Sequence, residues 1–175
     1  STMWHALVPI LSASYRVVCI DLLGHGKSEN LGYVHRMEDQ ADVVKTVLAT
    51  LRVRRVTLIG HSMGGSLALW LAAENPNTYK KLVIVDGLPS IGALMIPDFS
   101  SDKVTYDNPF AKQQLAIEAE SFKQIATQMA AGMTLTKEKQ PQIVSWMKQA
   151  DRKTYVYGYI DLMKLDVRES IKSIQ

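Results

Sequence analysis

The sequence predicts an α/β fold with parallel strands on three observations. Short β-branched runs recur without polar alternation, as strands covered on both faces do. Stretches with helical periodicity separate them, and the order strand, helix, strand argues for parallel pairing. Two runs end in glycine turns, at the carboxyl end of strands where α/β folds place their ligands.

The runs are Arg16–Asp21 (RVVCID), Arg55–Gly60 (RVTLIG) and Lys81–Asp86 (KLVIVD). A helix is expected to open the chain, with Trp4 on it and Pro9 near its end. Glu38–Leu51 sets Val43, Val44, Val47, Leu48 and Leu51 on one stripe. Ser66–Glu74 is apolar nearly all round, and Asn75-Pro76-Asn77 stops it. A loop-rich stretch follows Gly87. Helices are then expected over Ala111–Ala131, Thr136–Ala150 and Arg152–Leu165, with no further strand. Three segments result: a partial core over residues 1–87, a helical cap over 88–162 and a return toward the core over 163–175.

Composition sets the class. The chain has 175 residues, 47% of them apolar and 21% charged, which suits one globular domain. A net charge of +3, scattered along the chain, argues against nucleic acid and anionic membranes as partners. Cys19 lies in an apolar run and is expected to be buried. A lone cysteine forms no disulfide within the chain, which favours a reducing, cytoplasmic setting. No charged-then-apolar leader and no metal-ligand or dinucleotide motif is seen, so neither metal nor cofactor is expected.

The chemistry concentrates in Gly60-His61-Ser62-Met63-Gly64-Gly65. A strand ends there and a helix begins, the context that G-x-S-x-G requires. The serine of such a turn is strained and its hydroxyl projects outward. Gly60 and Gly64 are expected to be small because they crowd each other, and Gly65 to let the helix pack closely. The free N–H groups of a helix start suit an oxyanion, with Met63 N–H as one donor. The plainer alternative is a turn whose serine merely caps a helix. Gly26-Lys27-Ser28 is not a phosphate loop, because Asp21 stands where that motif needs its first glycine.

Asp21-x-x-Gly24-His25-Gly26-x-Ser28, followed by the Ser62 turn, resembles the α/β-hydrolase superfamily. Trp4, Leu82–Gly87 and Asp166-x-Arg168 are similar to its esterase-like branch. The resemblance implies part of a doubly wound, mostly parallel sheet with an inserted helical lid, a Ser62 nucleophile, an oxyanion donor at Met63 and a cap that shapes the substrate pocket. Trp4, His25 and His61 are pocket candidates. Asp86 ends a strand where some members carry the acid, although a turn role is favoured. Asp21 reads as a structural turn carboxylate, and Asp166 as a tether to Arg168. Phe110, Phe122, Met129, Met133, Trp146 and Met147 read as helix packing before pocket lining.

The family pattern asks for more than the sequence holds. It places a strand ending in His-Gly between the strands ending at Asp21 and Gly60, and its base after the cap. His5 and His35 have no site context, and none of the four histidines follows the cap. The chain is therefore expected to be an internal fragment, with Arg16–Asp21 and Arg55–Gly60 not directly paired and a complementary segment or chain supplying the rest. The expected function is a serine hydrolase of small carboxylic esters or related acyl compounds. C–C hydrolysis, perhydrolysis and non-catalytic binding are the alternatives.

Overall fold

The computed structural model describes residues 2–174, so Ser1 and Gln175, the outer ends of the expected core and return segments, lie outside it. Short 3-10 turns aside, the elements in chain order are α1 (Val8–Ser12), α2 (Met37–Thr50), β1 (Val56–His61), α3 (Met63–Glu74) and β2 (Tyr79–Val85). There follow α4 (Ile91–Met95), α5 (Pro109–Ala116), α6 (Ala119–Met133), α7 (Gln140–Gln149) and α8 (Arg152–Lys164).

β1 and β2 pair in parallel, with Ile59 opposite Val83 and Gly60 opposite Ile84. α3 connects them and packs on the face that carries Leu58, Gly60 and Ile84. The other face stays open to solvent: Ile59, Val83 and Val85 are about two-fifths exposed.

Arg16–Asp21 is not a strand, contrary to expectation; it joins no ladder among the described residues. A strand exists only through its partner's N–H and C=O groups, and β1 bonds to β2 alone. The expected separation of Arg16–Asp21 from β1 is met. Cys19 is exposed rather than buried, on a run that joins no ladder among the described residues.

Two helices also differ. Pro9 lies in the first turn of α1, not near the end of an opening helix, because its fixed φ and missing N–H suit a helix start. Ala111–Ala131 is two helices broken at Ile117 and Glu118, both extended. Arg152 explains the break. Its Nη1 donates to the carbonyls of Gln114 (3.1 Å) and Ile117 (3.4 Å), and its guanidinium lies 3.6 Å from the Phe122 ring centre. The freed carbonyls at the end of α5 thus have a donor.

One core cluster joins Met37, Ala41 and Val44 of α2 to Leu67 and Leu71 of α3 and Leu162 of α8. A second, of Val104, Ala111, Val156 and Ile160, belongs to the residues after β2. α8 takes part in both and forms the seam between them.

A candidate active site at the strand-to-helix elbow

Ser62 sits between the last residue of β1 and the first of α3 at φ 50° and ψ −122°. Such a conformation is costly for a residue with a side chain and persists where its surroundings enforce it. Three hydrogen bonds do so. Ser62 N–H donates to the Val85 carbonyl at 2.9 Å, and the Ser62 carbonyl accepts from Gly65 N–H (2.8 Å) and Ser66 N–H (3.1 Å). The Ser66 hydroxyl donates to the Leu88 carbonyl at 2.8 Å and ties α3 to the segment after β2.

The glycines have unequal roles. A Cβ on Gly60 would collide with the Gly64 carbonyl. One on Gly65 would lie 3.0 Å from Ile84 Cγ2 and 3.1 Å from Gly87 Cα. One on Gly64 would meet nothing within 4 Å, so the expected need for a small side chain there is not met. It is the Gly64 backbone that crowds Gly60.

Ser62 is exposed, and its hydroxyl has no hydrogen-bond partner among the described residues. The Met63 and Gly64 N–H groups open α3 without a backbone partner. An anion beside Ser62 would meet these donors and the positive end of the helix.

The Met63 side chain points inward, to a small cavity of about 10 Å³ lined by Leu22, His25, His35, Gln40, Thr154 and Gly158, among others. His25 lines this cavity together with Met63, whereas Trp4 and His61 do not. His61 is exposed, opposite Val85 in the sheet. Asp86 is exposed at φ 52° just past β2, a left-handed turn position.

The glycine turn before α2 is a docking surface. Asp21 Oδ2 accepts from Lys27 N–H at 3.1 Å and its carbonyl accepts from the Ser28 hydroxyl, the turn role expected of it. Gly24 is at φ 71°, and a Cβ there would touch the Thr154 side chain at 2.9–3.0 Å. Asp151 N–H donates to the Gly24 carbonyl at 3.0 Å, fixing the start of α8 on this turn. Asp166 pairs with Arg168 at 2.7 Å and 2.9 Å, as expected, and the guanidinium holds its carboxyl below the usual range.

Sequence reading missed His35, Asp161 and their partners. His35 is fully buried at the cavity, not a loop residue without context. Asp161 accepts from Arg36 Nε (2.9 Å) and Nη2 (2.8 Å), from Met37 N–H (2.9 Å) and from the Tyr106 hydroxyl (2.6 Å). The Arg36 guanidinium also stacks 3.7 Å from the Tyr106 ring centre. One carboxylate thus caps α2 from another helix. Its partners stand up to 125 residues away, and no local motif announces them.

The alpha/beta hydrolase fold family model matches residues 1–156, and the chain belongs to that family. A 2-hydroxy-6-oxononadienedioate/2-hydroxy-6-oxononatrienedioate hydrolase of Cupriavidus pinatubonensis is 42% identical over 82 residues, 45% of this chain and 28% of that protein. RutD of Pantoea ananatis, named a candidate carbamate hydrolase, is 39% identical over 87 residues, 48% of this chain and 31% of that protein. The enol-lactonase of Burkholderia xenovorans LB400 superposes with a TM-score of 0.76 at 21% identity, over 99% of this chain and 64% of that one. The matches thus span under a third of these curated relatives' length and under two thirds of the enol-lactonase. No helix among the described residues is long and apolar enough to cross a membrane.

Proposed function

We propose that the chain carries the nucleophile of a serine hydrolase acting on small carboxylic esters or related acyl compounds. The carrying observation is Ser62: exposed, held at φ 50° and ψ −122° at the start of α3, in a chain of the α/β-hydrolase fold family. In this reading the Ser62 hydroxyl attacks the substrate carbonyl. The Met63 N–H donates to the oxygen as it gains negative charge, which only the transition state develops fully. Collapse of the adduct breaks the ester C–O bond and releases the alcohol, and water then attacks the acyl-enzyme to release the acid and restore the Ser62 hydroxyl. Residues 88–162 act as a cap, and α8 brings it against the elbow.

A serine hydroxyl needs a base to react at neutral pH. No described residue bonds to it, so the reading assigns the base, and the acid behind it, to a segment or chain beyond these residues. The same elbow serves C–C hydrolysis, and the 42% identity to the Cupriavidus enzyme keeps that chemistry as the second reading.

The test is hydrolysis of a short-chain nitrophenyl ester by the full gene product and its Ser62→Ala variant. A loss on the order of 10⁶-fold in turnover with an unchanged fold supports the proposal. Equal activity in both proteins would refute it.

A further inference from the structure

The cavity behind Met63 contains a mismatch between burial and bonding. His35 is 0% exposed and Thr154 1% exposed, and both line it. His35 Nδ1 and Thr154 Oγ1 have no hydrogen-bond partner among the described residues. The His35 tautomer follows from its other nitrogen. Nε2 accepts from Leu31 N–H at 3.2 Å, so a neutral ring carries its proton on Nδ1. A buried N–H donor and a buried hydroxyl therefore face one small space, and leaving either unpaired costs roughly 1–3 kcal/mol. The Thr154 hydroxyl also acts on the nearby Asp151 carboxylate, but its geometry falls short of a hydrogen bond.

The space has the size and chemistry of one water. Its volume of about 10 Å³ accommodates a single water centre, which needs two to four polar partners. Three further polar residues line it, Arg36, Gln40 and His25, and the Arg36 guanidinium is turned to Asp161. Gln40 holds Leu23 through both ends of its amide, at 2.8 Å and 3.1 Å, and keeps one Nε2–H uncommitted. His25 Nδ1 lies 2.9 Å from the Leu23 carbonyl, which only accepts, so Nε2 of the neutral ring remains an acceptor. The rest of the lining, Leu22, Met37, Met63, Leu67 and Gly158, offers no polar side chain.

We infer that this cavity is a hydration site for one buried water, which accepts from His35 Nδ1–H and bonds the Thr154 hydroxyl. It joins the turn before α2 to the cap helix α8 directly behind the elbow residue Met63. The joint is polar and specific, where the rest of the α2–α8 seam is apolar or ionic. It does not depend on Ser62 being catalytic.

A high-resolution crystal structure of the full gene product tests it. The expected result is one isolated solvent peak about 2.7–3.2 Å from both His35 Nδ1 and Thr154 Oγ1. A cavity without density, or a direct His35–Thr154 hydrogen bond that closes it, overturns the inference. The sign of a stability change gives a second reading. Thr154→Val removes one partner of the water and is expected to lower Tm by about 2–4 °C. Thr154→Ser keeps the hydroxyl and is expected to keep the solvent peak. A rise in Tm in Thr154→Val would show that the hydroxyl was unsatisfied, and would overturn the inference.

Discussion

Gly60 and Gly64 stand symmetrically about Ser62 in the sequence but not in space. Only Gly60 faces backbone that cannot move without breaking the turn. Gly60→Ala is therefore expected to destabilise the fold by about 3 kcal/mol or more. Gly64→Ala is expected to be neutral or to stabilise by up to about 1 kcal/mol, because alanine suits a helix better. Urea denaturation of the two variants checks the difference, and equal losses would contradict the geometry. The elbow was legible because strand, G-x-S-x-G and helix follow in one short stretch. Which glycine is crowded was not, since that depends on how the chain closes on itself. His35 was illegible for a related reason: it shares a cavity with Thr154 and Gly158 of α8, over a hundred residues later.

At the scale of elements, amphipathic stripes and stop signals marked α2, α3 and α8 to within a few residues. Pro9 acts locally on α1, but two other failures share a cause, since each depended on a partner distant in sequence. Arg152 reaches back to divide α5 from α6, and Arg16–Asp21 has the composition of a strand without a ladder. Asp161 is the main clamp between α8 and α2. Asp161→Ala leaves the Arg36 guanidinium and Met37 N–H unpaired. The expected cost is about 3 kcal/mol, the low end for a broken buried pair, because Arg36 keeps 33% of its side chain in solvent. Thermal unfolding of Asp161→Ala and Asp161→Asn checks this, and Asn is expected to retain part of the loss as acceptor.

The N-cap of α8 adds a pH dependence. Partial burial raises the Asp151 carboxyl, but the Thr154 N–H, which donates to it at 2.8 Å, and the polar side chains of Thr154 and Asn30 nearby outweigh burial and hold it below its ordinary value of 3.8. A group depressed on folding stabilises above its unfolded pKa, and that contribution is lost as pH falls through the folded value. Acid titration of the urea midpoint is expected to show a fall below about pH 4 that Asp151→Asn reduces. An unchanged profile in that variant would exclude the carboxyl as a source.

For the whole molecule, the two parallel strands bury one face under α3 and leave Ile59, Val83 and Val85 open on the other. Parallel sheets in α/β folds are ordinarily covered on both faces. The chain matches under a third of the length of the Cupriavidus and Pantoea relatives. The fold family was legible from paired motifs that fall inside these residues. The substrate was not, because specificity belongs to pocket walls that a single elbow does not define.

The proposed chemistry requires Ser62 to be the nucleophile. The most direct measurement is intact mass of the full gene product before and after a fluorophosphonate, with peptide mapping of any adduct. One adduct, mapped to Ser62 and lost in Ser62→Ala, is the predicted result. A folded protein that takes up no adduct, or takes it up equally when Ser62 is alanine, would rule out Ser62 as the nucleophile.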